Sequence, residues 1–584
     1  MWYTSRVKGK ALGGLLTHVN SRAPIGRLLA RIHVLLLLLP TIFGLRAQQP
    51  IWLEHFGSTS SGSRSFMLSG YEHHALYAFG AFAGPPMVIG PYTIVHAGDR
   101  DVMLVKLDTA GNVLWVRTAG GSCQYDEDRR KSVAVAPSGE RVVITGNHNC
   151  GVIWFDDISV DGSGTTDPRD AFIAAYDSAG TVLWAHSAEG FDVQPGEVLL
   201  DADHNTFWFG GVVTMSAVFN GDVPIVVQPG GFVAKYAANG DLLFAERWLT
   251  NGTIEDADRY GSDQWVLCGR ARAGAQLNGQ SLGVTSTTQN GWIARVDTAG
   301  STVWAVPILS DLNTYAYRCA PGPNGDVVTL GGFQGNVILE NDTLVGSGAS
   351  YYNFLASYSS GGQLNWAQRL GGGDHFAAFD MECAPNGDIY VLGEFENELV
   401  LPGVAPLTAG TALDMFVARF DPATGLCRSA YHYGKVGSIN VQSYGSLWPT
   451  ANGLYVADCY DSTFTMGTHV LQPSGPVATD IFIAKFDSLS GFTGIQTMPL
   501  QEGALHIYAN PNKGTCTIDL PTQLRLSDGL MLSIFDQAGH LVQRMPLRYT
   551  SERVAIDIRA QAKGIYHVEL GDGQQRYTGR IVFE

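Results

Sequence analysis

The side chains of this chain best suited to chemistry are carboxylates. They fall at Tyr125-Asp-Glu-Asp128, Asp192, Glu255-Asp-Ala-Asp258, Asp311 and Asp374-His375, and Asp126, Asp128, Glu255, Asp258, Asp374 and His375 are the candidates for a ligand-binding face. Convergent carboxylates can hold Ca²⁺ through oxygen ligands, or act as acid and base on a glycan. None of these segments has the spacing of a twelve-residue calcium loop. Ca²⁺ is therefore the one cofactor the sequence suggests, and no catalytic residue can be assigned. His73-His74 lacks an HExxH partner or a third ligand, and no CxxC or Cys/His cluster with zinc spacing occurs. Nucleophile and phosphate-loop motifs built on Ser, Cys or Gly are absent.

The elements that must position these residues repeat. A short pattern, clearest at Asp414-Met-Phe-Val-Ala-Arg-Phe-Asp421 and Asp480-Ile-Phe-Ile-Ala-Lys-Phe-Asp487, occurs seven times. Its penultimate residue is Leu107, Tyr176, Tyr236, Val296, Tyr358, Phe420 and Phe486, a spacing of 60 to 69 residues. A period near 60 fits a four-stranded blade with generous loops, so the chain is expected to be all-β: a seven-bladed β-propeller followed by a small C-terminal β-sandwich. In each copy a hairpin comes first, as at Phe379–Cys383, the turn Pro385-Asn-Gly-Asp388 and Ile389–Leu392. A variable stretch, the motif strand, a Gly turn and a fourth strand follow. The acidic segments named above link a fourth strand to the next inner strand, and in a propeller such links gather on one face around the channel.

The turn after the motif begins with Asp and ends with Gly, as in Asp108 and Gly111, Asp177 and Gly180, Asp297 and Gly300, Asp421 and Gly425. Gly supplies a positive φ and Asp accepts backbone N–H bonds, so these aspartates are turn formers. The fourth strand carries Trp115, Trp184, Phe244, Trp304 or Trp366, expected to pack between neighbouring blades; the sixth repeat has Cys427-Arg-Ser-Ala430 there instead. Ile51-Trp-Leu-Glu-His-Phe-Gly57 reads as a fourth strand with no blade before it, and is expected to complete the seventh.

Composition agrees: 70 Gly, 16% charged and 45% hydrophobic residues suit many short strands. The first 47 residues hold seven Lys or Arg and no acid, so their removal turns 37 basic against 54 acidic residues into 30 against 54. A net charge of 24 negative disfavours nucleic acid. Arg22, Arg27 and Arg31, an apolar run from Ile32 to Leu45 and Ala47 read as a signal peptide over residues 1–47, too short to span a bilayer. No other apolar stretch of spanning length follows. Eight cysteines lie in the exported part, where Cys123 and Cys150 flank one hairpin and are the expected pair; spacing assigns no other connectivity.

Residues 50–500 resemble the bacterial propeller repeats called SBBP, whose units carry a Gly-Asn or Gly-Asp hairpin, a D-x-F-[VI]-A-K-[FL]-D strand, then Gly and an aromatic. The resemblance implies a propeller outside the cytoplasm and no reaction. The propeller is placed at 48–500, with repeats ending near 121, 190, 250, 310, 373, 434 and 500. Ile507-Tyr-Ala-Asn-Pro-Asn-Lys-Gly514, Leu532-Ser-Ile-Phe-Asp-Gln-Ala-Gly539, Gly564-Ile-Tyr-His-Val-Glu-Leu570 and Arg580-Ile-Val-Phe-Glu584 resemble, in order and spacing, the type A C-terminal sorting domain of the type IX secretion system. Ala509 replaces the family's usual Pro, and Glu584 follows the terminal apolar residues. The resemblance makes 504–584 the sorting domain, Asn510, Pro511, Gly514, Asp536, Gly539, Gly564 and Tyr566 its signal residues, and the secretion machinery its partner. It implies a secreted protein or one at the outer-membrane surface, released or attached to lipopolysaccharide. Two functions fit: a non-enzymatic module for adhesion, glycan or protein binding, or a polysaccharide lyase or hydrolase using carboxylates at the channel mouth. Three or more of these carboxylates within about 5 Å of one another would favour the enzyme.

Overall fold

The computed structural model describes residues 50–584, apart from 122–131, 163–169, 372–375, 435–444, 488–500, 522–529 and a number of shorter turns. Cys123, Cys150 and His73-His74 lie outside the described residues, as does the leader at 1–47.

Each motif strand is the third strand of an antiparallel sheet, because its alternating apolar residues are buried on both faces by neighbouring sheets. In Asp414–Phe420 only Arg419 is not fully buried. Among the described residues, seven such sheets follow one another. Their innermost strands are Arg64–Tyr71, Ser132–Val135, Val193–Leu200, Gly252–Tyr260, Thr314–Pro321, Phe376–Cys383 and Ser446–Thr450, here numbered sheets 1 to 7. Each innermost strand packs against that of the next sheet, and Ser446–Thr450 packs against Arg64–Tyr71, which returns the series to its start. The arrangement is propeller-like.

Sheet 7 takes its fourth strand from the other end of the chain. Pro50–Phe56 pairs antiparallel with Asp480–Phe486, with Leu53 opposite Ala484 and Glu54 opposite Ile483, as the unpartnered strand at the start of the sequence led one to expect. The variable stretch between second and third strands is a two-stranded hairpin in each repeat. In four repeats it extends the preceding sheet: Val152–Phe155 pairs with Val113–Gly120, and Asn336–Leu339 with Thr302–Ser310, for example. Fourth strands that would present open edges are thereby covered.

One contact recurs at the seams. The indole Nε1 of Trp115 donates to the Ser178 carbonyl at 3.1 Å, Trp304 to Ser360 at 3.1 Å and Trp366 to Pro422 at 2.8 Å, each in the turn of the following sheet. Trp52 makes the same bond to Thr109 at 3.1 Å, so the N-terminal strand performs the fourth-strand role in chemistry as well as in register. Burying such a ring contributes roughly 2–3 kcal/mol. The turn glycines are required twice over. Gly425 has φ +68°, and a Cβ there would lie 2.4 Å from the Trp366 ring. The turn aspartates act as expected, with Asp177 Oδ1 accepting from the N–H groups of Ala179 and Thr181 at 2.9 and 2.8 Å.

The C-terminal residues form a five-stranded and a three-stranded sheet sharing one core, to which Ile518, Leu532, Ile534, Ile556, Leu570 and Ile581 contribute.

Candidate functional site

The innermost strands share one register against their second strands. Leu68, Val133, Val198, Ala257, Cys319, Met381 and Leu447 occupy equivalent positions and are all buried. The residues just before them, Ser132, Glu197, Asp256, Arg318, Asp380 and Ser446 in sheets 2 to 7, form a polar belt. β-Bulges at Pro195/Val198, Ile254/Asp256, Ala316/Arg318 and Ala378/Asp380 hold these strands in common register.

From sheet 2 round to sheet 1, the belt ties each innermost strand to the next. Ser132 Oγ accepts the Val198 N–H at 3.4 Å, Asp256 Oδ2 that of Cys319 at 2.7 Å, Asp380 Oδ2 that of Leu447 at 2.7 Å, and Ser446 Oγ that of Leu68 at 3.1 Å. Side chains join it lengthwise: Ser132 Oγ donates to Glu197, Glu197 hydrogen-bonds Asp256, and Arg318 Nε donates to Asp380 Oδ1 at 2.8 Å. Two residues further along their strands, and so on the same side, Asp258 and Glu382 add to the acidic group.

Four of these carboxyls, Glu197, Asp256, Asp380 and Glu382, feel the Arg318 guanidinium, while Asp258 accepts the Arg259 N–H at 2.6 Å and faces the Arg259 charge. Burial, reinforced by the neighbouring Asp256, pushes Glu197 well above the usual carboxylate range. Burial likewise raises Asp256 to about 6, Arg318 opposing it, and raises Asp258 to about 7. Glu382 is raised by burial and then by Asp380, Asp258 and Asp256. Burial also disfavours charge on Arg318, but Asp380, Asp256 and Glu197 outweigh it and hold the guanidinium charged. An Arg318–Asp380 ion pair flanked by proton-holding carboxyls is the state that costs least in such surroundings.

Of the residues expected at a ligand face, Asp258 joins this belt. Glu255, three residues before it, belongs to another network, accepting from Arg270 Nε at 2.7 Å and Thr253 Oγ1 at 2.6 Å. Asp192 accepts from Gln194, whose Oε1 is 3.5 Å from Arg270 Nη2, and Asp311 accepts the Asn336 N–H at 2.7 Å in a turn. Asp126, Asp128, Asp374 and His375 lie outside the described residues. Glu197, Arg318, Asp380 and Glu382 were missed. The signal was available, since Asp256, Arg318 and Asp380 are each 62 residues apart, the period of the motif itself.

In the C-terminal sheets, Asn510 grips the last strand with both ends of its amide, Nδ2 donating to the Arg580 carbonyl at 2.5 Å and Oδ1 accepting the Val582 N–H at 2.8 Å. Asn512 N donates to the Val582 carbonyl at 2.9 Å, which places Pro511 between two anchors. Gly514 has φ +95° and donates to Asn512 Oδ1 at 2.7 Å. Tyr566 is buried and its hydroxyl donates to the Ala562 carbonyl. Gly564 opens the strand Gly564–Gly571, Asp536 directly follows Leu530–Phe535, and Gly539 is outside the described residues.

Residues 506–584 match the family model described as the secretion system C-terminal sorting domain. The chain is exported through the type IX system to the cell surface or the medium. No helix among the described residues is long and apolar enough to cross a membrane. Over 197 residues the chain is 25% identical to the regulatory protein FlaEY of Caulobacter vibrioides, covering 32% of this chain and only 19% of that protein. A phage phi92 endosialidase covers 91% of this chain and 87% of its own at 10% identity and a TM-score of 0.32. A glycoside hydrolase of family 32 from Bifidobacterium adolescentis covers 91% and 95% at 10% identity and a TM-score of 0.25. Both scores are too low to equate the folds.

Proposed function

We propose that the chain is a seven-bladed SBBP-type propeller, delivered by a cleaved signal peptide and a C-terminal sorting domain, that acts as a non-enzymatic recognition module in adhesion, glycan binding or protein interaction. The observation that carries this reading is the sorting-domain match at 506–584, whose Asn510 and Asn512 are bonded to the terminal strand. The cyclic packing of seven innermost strands supports the blade count. Belt carboxylates engaged by backbone N–H groups of adjoining sheets act as ties between sheets, which leaves recognition to the loops between blades. The sequence puts Asp126, Asp128, Asp374 and His375 in the segments between successive repeats, and Ca²⁺ is the ligand their carboxylates would suit.

A lyase or hydrolase is the second reading. It is favoured by Asp258, whose proton affinity near pH 7 suits a general acid. A glycan array probed with the secreted protein, followed by assay of the bound glycans for new reducing ends or unsaturated products, separates the two. Selective binding without cleavage is expected; cleavage lost in Asp258→Asn would establish the enzyme, and no binding to glycan or host proteins would refute the recognition module.

A further inference from the structure

Export changes what the cysteines can do. Cys268 lies on Gln264–Ala271, the second strand of sheet 4, and Cys319 on the innermost strand of sheet 5. Both are buried and both are free, and the Cys319 thiol donates across the seam to the carbonyl of Val266, on the strand that carries Cys268, at 3.6 Å. The two sulfurs and a carboxylate oxygen of Asp256 all lie within 4.8 Å of one another. The approach is enforced by the fold. Cys268 stands opposite Asp256 in the ladder of sheet 4, and Asp256 Oδ2 accepts the Cys319 N–H at 2.7 Å, which fixes the Cys319 backbone beside Cys268.

We propose that Cys268 and Cys319 become a disulfide stitching sheet 4 to sheet 5. The compartment crossed on the way to the outer membrane is oxidising, and a buried dithiol there is held in the neighbourhood a bond requires. In the folded protein burial raises both thiols, so little thiolate is present and the seam admits no oxidant. Oxidation therefore belongs to the interval before the seam closes. One thiolate attacks the disulfide of an oxidised dithiol oxidoreductase to give a mixed disulfide, and the second displaces the enzyme's sulfur. Two protons are released from the cysteines, and two electrons leave with the reduced enzyme. A thiolate metal site is the competing use of these three residues. It is disfavoured because Asp256 is already committed to the Cys319 N–H and to Glu197.

The test is peptide mapping of the secreted protein, unfolded in alkylating agent without reductant. A linked pair of peptides carrying Cys268 and Cys319, neither alkylated, is expected. Alkylation of both would overturn the proposal, as would one equivalent of zinc released on thiol modification. A second measurement separates a bond from mere packing. Cys268→Ser, Cys319→Ser and the double variant should melt at one temperature, and reductant should lower the unaltered protein by more than it lowers the double variant, bringing the two together. If reductant leaves its melting point unmoved, no bond is present.

Discussion

Asp258 offers a sharp numerical test of the acidic belt. Its carboxyl has an ordinary value of 3.8 and is pushed up to about 7, chiefly by burial and then by Asp256. Below about pH 3 the group is protonated whether the chain is folded or not, and it contributes no difference. As pH rises from about 4 to about 7 the unfolded chain releases the proton while the native protein keeps it, so folding becomes progressively less favourable. Above pH 7 the full penalty is present. The rise from 3.8 to about 7 corresponds to about 4 kcal/mol, and water reaching the partly accessible side chain reduces this to about 2 kcal/mol. Asp258→Asn keeps the shape and removes the ionisation. Urea unfolding of the mature protein, followed by tryptophan fluorescence, should find the variant about 2 kcal/mol more stable at pH 8 and within about 0.5 kcal/mol of the unaltered protein at pH 4. A difference independent of pH, or a variant less stable at pH 8, would show that Asp258 is not the buried proton-holding group described.

Other expectations follow from the seams and the belt. Arg318→Met leaves Asp380 without its ion pair and should cost about 3–5 kcal/mol at neutral pH, with part of the loss recovered in acid, read by the same urea titration. Trp52→Ala removes the ring that joins sheet 7 to the turn of sheet 1 and should cost about 2–3 kcal/mol with a lower melting temperature; an unchanged melting temperature would mean that the N-terminal strand does not close the array. Gly425→Ala forces a Cβ against Trp366 at a positive φ and should cost at least about 1–2 kcal/mol. Asn510→Ala frees the last strand, and protease should then cleave within residues 575–584 faster than in the unaltered domain.

The repeat was legible because its residues are structural. Residues equivalent to Asp414, Gly425 and Trp366 do the same work in most copies, so their kinds and spacing survive in the sequence as a visible period. The strand from Ile51 announced its missing partner for the same reason. The belt was harder to read, because its position holds Ser, Glu, Asp, Arg, Asp and Ser in sheets 2 to 7, and only the fold shows that these differing residues meet. Choosing acids by their place in loops set Glu255 beside Asp258 in one candidate group. The two join different networks, because strand alternation and a bulge separate side chains that are close in sequence. The outer hairpins vary in length and composition since they need only pair with a neighbouring edge, a demand on the backbone that leaves little trace in side-chain type.

The central claim is that residues 504–584 carry the chain to the outside of the cell. The most direct test is the location of a chain lacking those residues in a host with the type IX system, measured by protease shaving of intact cells and by fractionation. Retention in the periplasm, with the full-length chain at the surface or in the medium, is the predicted result. A truncated chain that still reaches the surface would contradict it.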